Sequence, residues 1–177
     1  GDSAQIHKLL HSGSVRLGFV GAMLEPDSMT YFPMLEDHLV MCTANNPHYQ
    51  ALKKQNVYGR DLLREPTVAR EEGSGTDRTV QSYMRNMGLA DQDLHIVARV
   101  DDPEAIKRMT AQGVGVSVLS ALSVASEVDD GRLLTFPMDP QGLHRSIYLV
   151  YPRETILSQS EQAFVRFCCQ MAIRRNL

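Results

Sequence analysis

The run Gly73-Ser74-Gly75-Thr76 puts two glycines and two hydroxyls where a strand pattern gives way to a helix pattern. Glycine lets a backbone turn sharply and come close to a bound group. The first N–H groups of a helix have no internal partners, and the aligned peptide dipoles add a partial positive charge there. Ser74, Gly75 and Thr76 therefore suit a carboxylate, a sulfate or a phosphate. The run is not a Walker loop, because it lacks a Gly-Lys-Ser/Thr ending. Nor is it a dinucleotide fingerprint, since Arg78 stands where the third glycine belongs. The same four residues also make an ordinary turn and helix cap. Taken alone, they leave both uses open.

Two other helix starts carry polar groups of the same kind. Asp2-Ser3 opens a helix, as a cap or as a donor through Ser3. Asp101-Asp102-Pro103 opens another, with Asp102 as the cap. Asp101 beside an anion site would repel an anionic ligand, or favour one that also carries an amine. Catalytic patterns are poorer. A Ser74 nucleophile needs a histidine base and an orienting acid, and the six histidines form no recognisable motif. His7 and His11 share a helix face at i, i+4. With no third ligand at motif spacing they are expected as exposed surface residues, and no metal site is expected. Adjacent Cys168 and Cys169 do not match metal-ligand spacing, and at Glu71 and Glu72, which face opposite ways, a solvated acid with a partner across a turn is expected. No cofactor is implied.

The elements that must position these residues alternate along the chain. A helix is expected from Ala4 to His11 and a buried strand from Val15 to Gly21. A second strand is expected from Glu36 to Thr43, then a short helix in "NNPHYQALKKQ". Thr67 to Arg70 is a strand, Gly75 to Met87 a helix ending at Gly88, and Leu94 to Val100 a strand. "DDPEAIKRMTAQG" has a complete helix grammar: cap, proline at the first position, an acid in the first turn, glycine at the end. "VGVSVLS" is a strand, Ala121 to Val128 a short helix, and Arg132–Phe136 and Ser146–Tyr151 are strands. The last helix runs from Ser158 to about Arg174, with Ala163, Phe164, Phe167, Cys168 and Met171 as its core stripe. Such strand–helix–strand units imply an α/β protein with a largely parallel sheet.

The totals exclude some functions. The chain has 177 residues, 43% hydrophobic and 22% charged, which is enough for a real core. A net charge of −3 argues against this chain gripping a phosphate backbone by itself. No apolar run approaches the roughly 20 residues of a membrane span. Three cysteines, two of them adjacent, are not a disulfide framework, so a reducing, cytoplasmic compartment is expected.

Six segments, in order, resemble the effector-binding domain of LysR-type transcriptional regulators: "VRLGFVG", "EDHLVMCTANNPH", "DLLREPTVAREEGSGT", "PEAIKRMTAQGVGVSVLS", "EVDDGRLLTFPM" and "RSIYLVYPRETILSQSEQAFVRF". Together they cover nearly the whole chain. The resemblance implies a two-lobed fold like that of type 2 periplasmic binding proteins. Lobe one would be residues 1–41 plus 152–177, lobe two residues 42–150, with a small effector in the cleft between them. Carried over from the family, the effector contacts are Ser3, Gly21, Ser74, Gly75, Thr76, Val100 and Asp101. The ligand implied is small, and anionic or amino-acid-like. The implied partners are a second copy or a tetramer of the protein, and DNA only through an upstream helix–turn–helix that this sequence lacks. The family's opening strand and helix of lobe one also have no counterpart here. Two rivals remain: a transporter's solute-binding protein on the same fold, and a hydrolase using Ser74.

Overall fold

The computed structural model describes residues 2–175. Gly1, Asn176 and Leu177, at the outer ends of the expected lobe one, lie outside the described residues. The elements run α1 (Ser3–His11), β1 (Gly18–Val20), β2 (Met29–Ala44), α2 (Pro47–Lys54), β3 (Thr67–Arg70), α3 (Gly75–Asn86), β4 (Ile96–Val100), α4 (Pro103–Ala111), β5 (Ser117–Ser120), α5 (Ala125–Asp129), β6 (Leu133–Pro137), β7 (Leu143–Pro152) and α6 (Gln159–Arg175).

The chain divides into two compact units. Unit 1 comprises Gly1–Glu36, Gly73–Gly75 and Ser146–Leu177; unit 2 comprises Asp37–Glu72 and Thr76–Arg145. Strands β2 and β7 each begin in one unit and end in the other.

Local chemistry sets the helix starts. The Asp2 carboxylate accepts the Gln5 N–H at 2.7 Å and opens α1. Asn46 accepts the Tyr49 N–H at 3.0 Å, with Pro47 at the first position of α2. Asp102 accepts the N–H groups of Glu104 and Ala105 at 3.0 and 3.2 Å, ahead of Pro103. Each side chain satisfies a helical donor that has no partner inside its helix.

The expectation of a largely parallel sheet is corrected. The larger sheet has the order β1-β7-β2-β5, with β6 also paired to β2. Its β1–β7, β2–β5 and β2–β6 pairs are antiparallel. Among the described pairings, β3–β4 is parallel, as is the single bridge from Thr67 to Val116. Alternating strands and helices suggested crossovers. The two long strands instead run past Pro33 and through Leu143 and His144, and they pair with segments far away in the sequence.

In unit 2 one core gathers Leu39, Met41, Val116, Phe136 and Met138, and a second gathers Cys42, Val68, Ile106, Leu119 and Leu133. Unit 1 packs Leu10, Val20, Met29 and Val150 in one cluster and Leu149, Val165 and Cys168 in another. The expected core stripe of the last helix is therefore shifted. Val165, Cys168 and Ala172 are buried, whereas Phe164, Phe167 and Met171 are exposed.

Candidate ligand-binding site

Gly73 has φ +81°, a left-handed conformation that favours glycine, and it turns the chain after β3 into α3. Gly75 then opens the helix against Gly21. A Cβ on Gly75 would stand 3.0 Å from the Cα, carbonyl carbon and oxygen of Gly21. Two backbones meet there because neither residue has a side chain. In the same unit, Ser3 is buried at the start of α1 and its Oγ accepts the Gly21 N–H at 3.2 Å. Unit 1 thus brings Ser3, Gly21 and Gly75 together. Ser74, beside Gly75, is 2% exposed.

Thr76 falls in unit 2, as the second residue of α3, and is 3% exposed. Its Oγ1 accepts from Nη1 of Arg145 at 2.9 Å. Arg145 is in turn held by Asp37. Its Nε and Nη2 both lie 2.8 Å from Asp37 Oδ2, and Ser120 Oγ donates to Asp37 Oδ1 at 2.6 Å. Asp37 is buried. Further along α3, Asp77 accepts from Arg99 Nη1 and from Gln81 Nε2, each at 3.1 Å. Arg99 also donates to the Arg70 carbonyl at 3.2 Å, and Arg70 grips Glu71 with bonds of 2.8 and 2.7 Å.

Each of these arginines has an acidic partner: Glu71 for Arg70, Asp77 and the more distant Glu72 for Arg99, and Asp37 for Arg145. A cavity of about 40 Å³ lies beneath α3 in unit 2, lined by Met41, Val80, Met84 and Val118 among others.

Val100 ends β4 half-buried, and its carbonyl accepts the Glu71 N–H at 3.1 Å. Asp101 is exposed in the turn before α4.

Two expectations about side chains change. His7 is not a surface residue: it is 2% exposed, with Nδ1 2.6 Å from the Ser3 carbonyl and Nε2 2.6 Å from the Tyr31 hydroxyl. It braces α1, and with it Ser3. His11, by contrast, is exposed and lies 2.6 Å from Glu25. The partner of Glu71 is its neighbour Arg70 and not a residue across the turn, while Glu72 stays 78% exposed at 3.7 Å from Arg99.

Sequence reasoning missed Arg145 and Asp37. They are 108 residues apart, so no spacing announces the pair. It also missed the approach of His38 to His144, whose ring centroids are 4.4 Å apart. The one available signal was two charged residues, Asp37 and Arg145, inside otherwise strand-like runs.

The comparisons with known proteins fit this geometry. The model of the LysR substrate binding domain matches residues 1–172. The chain is 28% identical to the phosphonates import ATP-binding protein PhnC of Anaeromyxobacter dehalogenans, over 93% of this chain and 32% of that protein. It is 26% identical to the HTH-type transcriptional activator CmpR of a Synechocystis species, over 94% of this chain and 53% of that protein. It thus spans about a third to a half of the length of these curated relatives. Among solved structures, the regulatory domain of Synechocystis CcmR in complex with 2-PG matches with a TM-score of 0.81 and 25% identity, over 97% of this chain and 80% of that one. The chain belongs to the LysR substrate-binding domain family and has its two-lobed, periplasmic-binding-protein-like α/β fold.

Proposed function

We propose that this chain is the effector-sensing part of a LysR-type transcriptional regulator, and that its effector is a small organic molecule bearing an oxyanion. The observation that carries the proposal is the start of α3. Its glycine turn is pressed against Gly21, and the Thr76 hydroxyl is buried and oriented by Arg145. Ser3, Gly21, Ser74, Gly75, Thr76, Val100 and Asp101 are the proposed contacts. Thr76 and the Ser3–Gly21–Gly75 group rank first, because each is locked in place by a named neighbour. Val100 ranks lower, since its carbonyl is already engaged. Exposed Asp101 suits an amine on the ligand, should it carry one.

A ligand shifts a conformational equilibrium only by its differential affinity for the two states, so the effector must bind one state of the regulator better. In the full protein the change would reach DNA through a helix–turn–helix domain, in a homodimer or homotetramer in the cytoplasm. Among the described residues, no helix is long and apolar enough to cross a membrane. A hydrolytic role for Ser74 is disfavoured by its burial, at 2% exposure.

A thermal-shift and calorimetric screen of the intact protein tests this. The panel is 2-PG, phosphonates, carboxylic acids, amino acids, inorganic phosphate and sulfate. A ligand at a hundred times its dissociation constant stabilises the fold by about 2.7 kcal/mol. At least one oxyanion is expected to do so in wild type and to fail with Thr76→Val. A panel in which no oxyanion stabilises the wild type sinks the proposal.

A further inference from the structure

His38 and His144 lie on neighbouring strands, β2 and β7, and both are exposed. Their ring centroids stand 4.4 Å apart, with the ring planes at 65°. Strand periodicity explains the shared face. Asp37 and Leu39 are buried on either side of His38, so His38 points the other way. Glu36, two residues before His38 on the same strand, points with it and is also exposed. On β7, Arg145 follows His144 and turns to buried Asp37, which it meets at 2.8 Å. That ion pair ties the two strands together on the face opposite the histidines. One ligand atom from each of Glu36, His38 and His144 lies within 4.8 Å of the other two. Around a tetrahedral ion with bonds of about 2.0–2.1 Å, ligand atoms stand about 3.3 Å apart. Small rotations of exposed side chains close that difference. His144 is already oriented. Its Nε2 lies 2.9 Å from the Gln141 carbonyl, which accepts and cannot donate. Nε2 therefore carries the ring proton, and in the neutral imidazole Nδ1 holds the lone pair. Gly142, at φ +78°, lets the turn bring that carbonyl against the ring, since a Cβ there would stand 2.8 Å from Nε2. Metal-binding histidines are commonly fixed in this way, with one ring N–H given to a carbonyl and the other nitrogen to the ion.

We infer that Glu36, His38 and His144 form a surface site for a divalent transition ion of the zinc class, held by two imidazoles and one carboxylate, with a further coordination position left to water. Two nitrogens and a single carboxylate are a poor match for calcium and magnesium, which take oxygen ligands. Imidazole suits zinc, nickel and copper instead. The Glu36 carboxylate offsets part of the ion's charge. No motif spacing announces the site, because His144 is distant from the other two in sequence. It shares no residue with the proposed effector contacts, and it stands or falls independently of them.

The test is calorimetry of the intact, tag-free protein, stripped of metal with a chelator and titrated with zinc chloride. Saturable binding is expected in wild type. His38→Ala and His144→Ala are each expected to weaken it about tenfold or more, and Glu36→Gln about threefold or more. His11→Ala and His48→Ala, which remove exposed histidines elsewhere, are expected to leave it unchanged. A wild type that takes up no zinc overturns the inference. So does binding that survives both His38→Ala and His144→Ala, or binding that His11→Ala abolishes, since each puts the ion somewhere else. Nitrogen NMR of the histidine rings in wild type guards against a variant that misfolds. Zinc is expected to shift the His38 and His144 ring nitrogens together, with the His144 proton kept on Nε2. Shifts confined to other histidines overturn the inference.

Discussion

Lys107→Met removes the fastening between α4 and α5 in unit 2. The Lys107 ammonium lies 3.0 Å from Glu127, 2.7 Å from Glu104 and 3.1 Å from the Ser123 carbonyl. Both Lys107 and Glu127 are less than a tenth exposed. At an effective dielectric constant near 20, charges at this separation attract by about 5 kcal/mol, and desolvation of both ions offsets much of it. Removing only the cation leaves the desolvation and loses the attraction, which costs about 3–5 kcal/mol. Arg132, half-exposed and 3.5 Å from Glu127, takes up part of the loss. The expected cost is therefore near the lower bound, about 3 kcal/mol, or a fall in Tm of roughly 6–12 °C for a chain of this size. Urea denaturation at pH 7 measures it. The double variant Lys107→Met/Glu127→Leu should be more stable than the single, because it removes the stranded charge. The pH dependence carries its own sign. Burial alone pushes the Glu127 carboxyl up. The Lys107 hydrogen bond, with bonds from its own backbone and Ser126 and the Lys107 charge, outweighs burial and holds it below the usual carboxylate value. Its contribution is thus present above the ordinary carboxylate range and lost as pH falls through the folded value. In Lys107→Met that contribution is gone, so the gap to wild type should narrow on acidification. A cost under 1 kcal/mol at pH 7, or a gap that widens in acid, refutes the reasoning.

Asp102→Ala removes the cap that accepts two N–H groups of α4; a loss of about 1 kcal/mol in chemical denaturation is expected. Tyr31→Phe deprives His7 Nε2 and the Glu25 N–H of their shared partner. The expected cost is about 1–3 kcal/mol, read by the same assay. Cys42 is fully buried, and burial pushes its thiol up to about 12. At pH 8 a thiol reagent should modify half-buried Cys169 first and leave Cys42 untouched until the chain unfolds, as mass spectrometry of the peptides will show.

The α/β class and the start of α4 were legible because they are local: a cap, a proline, a first-turn acid and a closing glycine sit within a dozen residues. The glycine turn was legible as a candidate for the same reason. Strand direction was not, because antiparallel pairing of β1 with β7 joins Gly18 to Val150, and no periodicity encodes a partner so far away. His7 was misjudged because helix spacing gives its face but not the Tyr31 hydroxyl waiting there. Phe164 and Phe167 were placed in the core on hydrophobicity, yet the face that packs in unit 1 is Val165–Cys168–Ala172. The Asp37–Arg145–Thr76 chain was invisible for a topological reason. Its members come from three distant stretches that meet only once the sheet has formed.

The Asp37–Arg145 pair also bears on the order in which the chain folds. These two residues are the first and last of unit 2. A salt bridge between them means that the long excursion through unit 2 returns almost to its starting point. Before that return, the two main stretches of unit 1 are separated by more than a hundred residues, and pairing β1 with β7 carries the closure entropy of the whole excursion. Once unit 2 has formed, the same pairing closes a short effective loop. Unit 2 is therefore expected to fold first and unit 1 to follow. Pulse-labelled hydrogen exchange is the check: early protection should appear in Leu39, Val116 and Leu119 before Phe19 and Leu149, and the reverse order would contradict it.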